Sequence, residues 1–103
     1  MPYSVRFTPE ADNHLTALYA YIAAEATPVT AERYVTAIID YCESLATFPE
    51  RAPARDDIRP GLRVTHYKGR AIVPYFVDEP ANVVWILGIY YGGQDFEAAL
   101  AVG

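Results

Sequence analysis

A threonine followed by a proline occurs twice in the first third of the chain, at Thr8-Pro9 and Thr27-Pro28, each time just ahead of a run with helical periodicity. A threonine hydroxyl can accept a hydrogen bond from the first helical turn. A proline there has its backbone angle already set and lacks only an N–H that would have no partner anyway. After the first pair, Ala11, Leu15, Leu18, Tyr19, Ile22 and Ala26 recur at spacings that place them along one side of a helix. After the second, Ala31, Tyr34, Val35, Ile38, Tyr41, Cys42 and Leu45 do the same. Two helices so closely joined form a hairpin.

Around this hairpin the sequence changes character. Residues 3–8 are short and of mixed polarity and predict a strand that hands over to the first helix. From Phe48 to Pro60, three prolines among charged residues rule out further helix and predict one long irregular loop. Three β-rich segments follow, Leu62 to Tyr67, Arg70 to Val77 and Val83 to Tyr91, with connections short enough to make antiparallel neighbours. The second and third have no clean polar face, which predicts cover on much of both faces of these strands. Pro74 is out of place in such a strand, because it has no N–H to give; it predicts a bulge, or an amide position turned away from its neighbours. Gln94 to Leu100 predicts a short last helix resting on Phe96 and Leu100. The expected fold is α+β, in the order β-α-α-β-β-β, with the hairpin packed on a small, largely antiparallel sheet.

At 103 residues, with about half of them hydrophobic, the chain is expected to form a single domain over 1–103 that folds without metal or disulfide. Cys42 is the only cysteine, and no cluster has metal-ligand spacing, so neither a metal nor a cofactor is expected. The opening residues lack the pattern of a secretory signal and no stretch is long enough to span a bilayer, which together with the lone cysteine predicts a cytoplasmic protein. The net charge of −5 opposes direct binding to nucleic acid except through a local basic patch.

Several short motifs then fall in a telling order: Ala31-Glu32-Arg33-Tyr34, Leu45-Ala46-Thr47-Phe48-Pro49, Asp56-Asp57-Ile58-Arg59-Pro60-Gly61-Leu62-Arg63, Tyr67-Lys68-Gly69-Arg70, and Gly88-Ile89-Tyr90-Tyr91-Gly92-Gly93-Gln94-Asp95-Phe96-Glu97. Their order and spacing over nearly the whole chain resemble the RelE/ParE toxin superfamily of type II toxin–antitoxin systems, in its ParE-like branch. The resemblance implies a toxin neutralised by a cognate antitoxin protein, itself usually DNA-binding. It implies either inhibition of DNA gyrase or, as in RelE-like relatives, cleavage of messenger RNA on the ribosome; a homologue that has lost toxicity is a third reading. Many relatives carry a histidine and an arginine where this chain has Tyr91 and Gln94, which removes the usual proton carrier and a phosphate clamp and favours the gyrase reading.

Arg51, Arg55, Arg59, Arg63, Lys68 and Arg70 crowd the loop and first β-hairpin, either as a positive surface or as a rim balanced by Glu50, Asp56 and Asp57. The candidate residues for contact with target or antitoxin are Arg59, Arg63, His66, Lys68, Arg70, Tyr90 and Tyr91, none of them assigned a catalytic role. His66 shares a strand face with Leu62 and Val64, which predicts a structural, hydrogen-bonded histidine. Tyr90 and Tyr91 predict core and rim aromatics. His14, between Asn13 and Thr16, predicts a surface residue, and Cys42 a small packed hydrophobe.

Overall fold

Both threonine–proline pairs start helices. In the computed structural model, which describes residues 3–101, Thr8 Oγ1 accepts from the Ala11 N–H at 3.1 Å and Thr27 Oγ1 from the Thr30 N–H at 3.1 Å. The helices are α1 (Pro9–Glu25) and α2 (Pro28–Glu43), preceded by β1 (Ser4–Phe7) and followed by a 3-10 turn (Ser44–Ala46), β2 (Leu62–Tyr67), β3 (Ala71–Asp78), β4 (Val83–Ile86), β5 (Tyr90–Tyr91) and α3 (Phe96–Leu100). β3 is central, antiparallel to β2 on one side and to β4 and β5 on the other, and β1 joins outside β4 in parallel. Among the described residues no helix is long and apolar enough to cross a membrane.

The helical layer covers one face of the sheet, and α3 covers only part of the other, where Phe76 stays 39% exposed. Ala71, Val73 and Tyr75 of β3 and Val84 and Ile86 of β4 meet Ala11, Leu15, Leu18, Ile22, Ile38 and Leu45 of the helical layer. Each large side chain so buried contributes about 1.5–3 kcal/mol. On the other face Leu62, Val64 and Tyr90 pack under Leu100 and Phe96 of α3. The long loop is tied to the sheet through its carbonyls. The fully buried Tyr75 donates its O–H to the Pro49 carbonyl at 2.6 Å, and Arg63 Nη1 donates to the Ala52 carbonyl at 2.6 Å.

Pro74 decides how the last strand runs. The Leu87 N–H donates to the Pro74 carbonyl at 3.0 Å, so the proline nitrogen faces the same neighbour and cannot return a hydrogen bond to the Leu87 carbonyl. That carbonyl accepts instead from Thr8 Oγ1, at 3.4 Å. The ladder then slips. With Tyr75 opposite Ile86, unbroken pairing would set Ile72 against Ile89, but Ile72 faces Tyr90. One extra residue has been taken up in Leu87-Gly88-Ile89, a bulge that divides the expected strand from Val83 to Tyr91 into β4 and β5.

Other differences are smaller. β3 runs one residue later than expected, and α3 begins at Phe96 because Asp95, rather than Gln94, caps it by accepting from the Ala98 N–H. Tyr19 and Ala26 do not join the core: Tyr19 sits on the outer flank of the α1 stripe and is 39% exposed, and Ala26 lies past the helix end. His14, on the opposite flank, is half-buried rather than a surface residue. His66 is exposed, because α3 is too short to extend its cover along β2.

Thr8→Val removes a helix cap and the partner of the Leu87 carbonyl, whereas Thr27→Val removes only an exposed cap, so urea unfolding should show losses of about 2 and about 1 kcal/mol. Cys42 is fully buried, and burial, with the charge of Glu43 adding, pushes its thiol up to about 12. An unfolded thiol ionises near pH ~8.5, so this group's contribution to stability is present below that pH and falls away as pH rises toward the folded value. At about pH 9 iodoacetamide should label the denatured chain and leave the native one unmodified.

Candidate functional site

The bulge builds a cleft. Because Leu87-Gly88-Ile89 leaves the ladder, the Ile89 N–H points at α1 and donates to His14 Nδ1 at 3.1 Å. The His14 ring meets Tyr90 edge-on, with centroids 4.9 Å apart. Only glycine fits between them, since a Cβ on Gly88 would lie 2.6 Å from Tyr90 Cε1 and 3.0 Å from His14 Nδ1. Beside this contact a cleft of about 440 Å³ opens between α1 and the end of the sheet, walled by His14, Tyr21, Arg70, Ile89, Tyr91 and Gln94.

Its polar groups are largely held in place. Arg70 Nη1 donates to the Tyr91 hydroxyl at 3.3 Å, and the Tyr91 N–H donates to Gln94 Oε1 at 2.9 Å, closing the Gly92-Gly93 turn. The Tyr91 ring lies edge-on to Tyr34 at 5.6 Å and Tyr21 at 6.2 Å; Tyr34 in turn meets Tyr67, and Tyr67 meets Tyr41. Such ring pairs contribute about 0.5–1.5 kcal/mol each beyond their burial. The Tyr34 hydroxyl is buried without a partner among the described residues. Burial, followed by the neighbouring phenols of Tyr91 and Tyr67, pushes its pKa up against the opposing pull of Arg70. Burial also pushes Tyr90 up, with Glu10 adding.

The residues singled out from sequence are divided by this geometry. Arg70 and Tyr91 come together in the cleft, and Tyr90 packs in the second core cluster. Arg63 is half-buried and committed to loop carbonyls, at Ala52 and, at 3.4 Å, Glu50. His66 projects from the opposite side of β2, and Arg59 borders a shallow hollow formed by Phe76 and Trp85 on that same face. Lys68 sits in the β2–β3 turn with its ammonium 5.6 Å from the Tyr67 ring centroid. Arg55 holds both carboxylate oxygens of Asp57 at 2.9 Å and Glu97 at 3.3 Å, and this holds Asp57 below the usual carboxylate range. His14, Tyr21 and Tyr34 were missed as site residues. The signal for His14 was its place three residues after Ala11 and four before Leu18, on the buried stripe.

The sequence matches the family model of the ParE toxin of type II toxin–antitoxin systems (parDE) over residues 5–96. The chain belongs to the ParE toxin family. A chain in the solved structure of the chromosomal ParDE toxin–antitoxin system from P. aeruginosa is 22% identical, with a TM-score of 0.75, and the alignment covers 86% of this chain and 95% of that one. A chain in the crystal structure of the toxin–antitoxin complex RelBE2 from Mycobacterium tuberculosis is 25% identical, with a TM-score of 0.66, over 89% of this chain and 100% of that one. No curated protein matches significantly. The α+β fold, helices first and a mixed sheet after, is thus a ParE-family fold, and the cleft described above lies inside the matched region.

In this ParE-family chain the cleft depends on Gly88. Gly88→Ala should force His14 and Tyr90 apart and cost about 1–3 kcal/mol, as overpacking does. Thermal unfolding measures the loss, and unchanged stability would show that the bulge yields freely.

Proposed function

We propose that this toxin, a single domain over residues 1–103, arrests growth in the cytoplasm by binding DNA gyrase and performs no chemistry of its own. A cognate, DNA-binding antitoxin encoded beside it neutralises it. The observation that carries binding over cutting is the dispersal of the groups a nuclease would need. Cleavage at a ribose 2′-hydroxyl requires a base, an acid and a cation around one phosphate. Here Arg63 and His66 project from opposite sides of β2, and Arg63 is committed to the loop carbonyls. His14 lies in the cleft, but its Nδ1 lone pair is taken by the Ile89 N–H, so the neutral ring keeps its proton on Nε2 and has no lone pair left for a substrate.

What remains in the cleft suits contact: aromatic walls at Tyr21 and Tyr91, with Arg70 at the rim. An antitoxin partner is supported by membership of a toxin–antitoxin family and by the RelBE2 relative, which was solved as a toxin–antitoxin complex. The net charge of −5 speaks against direct nucleic-acid binding.

The test is gyrase-catalysed supercoiling of plasmid DNA with increasing amounts of antitoxin-free chain. The expected result is inhibition with trapped cleaved DNA, weakened about tenfold or more by Arg70→Ala if the cleft rim is a contact hot spot. Folded chain that leaves gyrase untouched would sink this reading. Messenger cleavage in the ribosomal A site would then mark a RelE-like nuclease, and absence of growth arrest an inert homologue.

A further inference from the structure

The polar side chains of the cleft between α1 and the sheet end each use an acceptor internally. His14 Nδ1 accepts from the Ile89 N–H at 3.1 Å, Gln94 Oε1 from the Tyr91 N–H at 2.9 Å, and the Tyr91 hydroxyl from Arg70 Nη1 at 3.3 Å. What each has left over is a donor: the Nε2–H of the neutral His14 ring, the amide NH2 of Gln94, the O–H of Tyr91 and the other N–H groups of Arg70. None of these donors meets an acceptor among the described residues.

The charge has the same bias. In a protein of net charge −5, no carboxylate lines this cleft, and Arg70 is in no ion pair among the described residues. The rest of the wall is apolar or aromatic, at Ala17, Leu18, Tyr21 and Ile89, around a volume of about 440 Å³ that suits a small ligand or one anchoring side chain. Such a cleft fits an apolar or aromatic body carrying a head that only accepts hydrogen bonds. Carboxylates and phosphates both do so, and charge separates them. A phosphate monoester carries about 1.5–2 negative charges near neutral pH and would leave charge uncompensated beside a single guanidinium in an acidic protein. A carboxylate is matched by that one guanidinium through two parallel N–H groups.

We infer that the cleft binds a carboxylate attached to an aromatic or apolar body, and that gyrase supplies it as an acidic side chain beside an apolar one. The source rests on the gyrase reading above; the ligand chemistry does not. Arg70 holds the carboxylate, the free donors of Gln94 and His14 add to its shell, and Tyr21 and Tyr91 cover the body.

The probe is phenylacetate, titrated into isotope-labelled free toxin beside phenylacetamide and phenyl phosphate, with amide chemical shifts as the readout. Phenylacetate should shift the Tyr91 and Gln94 amides saturably and bind about tenfold or more tightly than either comparison compound. Gln94→Glu keeps an oxygen for the Tyr91 N–H but turns the free amide into a carboxylate in the same cleft as Arg70. It should melt like the parent and bind phenylacetate about tenfold or more weakly. Equal binding of phenylacetamide, tighter binding of phenyl phosphate, or a Gln94→Glu chain that binds phenylacetate as the parent does overturns the carboxylate assignment. Saturating phenylacetate should also restore supercoiling by toxin-inhibited gyrase, and phenylacetamide should not. Inhibition that persists with the cleft filled overturns gyrase as the source and leaves the gyrase reading standing. A toxin that never inhibits gyrase overturns that reading and the source together, while the titration still decides the ligand.

Discussion

A proline at the centre of a sheet withholds one hydrogen bond, and much of this structure follows from where that missing bond falls. Pro74 accepts from Leu87 and cannot give back. The orphaned Leu87 carbonyl is met by the hydroxyl of Thr8, the residue whose other bond caps α1. One side chain thereby joins the helix start to the weak point of the sheet. Beyond that point the ladder slips by a residue, Ile89 turns to His14, and the cleft opens where a continuous strand would have closed it. An unpaired buried carbonyl costs about 1–3 kcal/mol, enough to make such a substitute partner worth keeping.

The long loop solves a similar problem. A segment with three prolines cannot satisfy its own carbonyls by regular structure, so the sheet and the loop's own cations supply donors. Tyr75 reaches Pro49, Arg63 reaches Ala52 and Glu50, and Arg51 reaches Phe48 and Ser44. Several of the positive charges that look from sequence like a ligand-binding patch are therefore fasteners. They still carry their charge. The loop is held in shape by groups that leave its surroundings electropositive, which is how one set of arginines can shape both the fold and the field around the β2 edge.

The periodic and punctuated parts of the fold were legible in sequence. The helix starts follow from Thr8-Pro9 and Thr27-Pro28, the antiparallel order from short connections, and the partial cover of the second sheet face from the apolar runs around Ile72 and Ile86. Pro74 predicted a bulge in its own strand or an amide position turned away, and neither occurs. β3 runs unbroken, the proline nitrogen faces the neighbouring strand, and the extra residue is taken up there, a place that depends on which neighbour the nitrogen faces. Site residues were harder for the same reason. Arg70 and Tyr91 were found as isolated types, while His14 was dismissed for its polar neighbours although its helical phase put it on the buried stripe. His66 failed in the other direction: alternation gave its face correctly, but nothing in β2 itself tells how far α3 extends.

The bulge also separates two registers along one strand. The Tyr75–Asp78 half of β3 is locked to β4, and through β4 to β1, in one alignment; the Ala71–Ile72 half is locked to β5 in another. The two alignments meet only at Leu87-Gly88-Ile89, where there is no room for a Cβ on Gly88. The junction is thus a rigid pivot: the angle at which the cleft end leaves the sheet is set by one contact between a helix and a strand, His14 against the Ile89 amide.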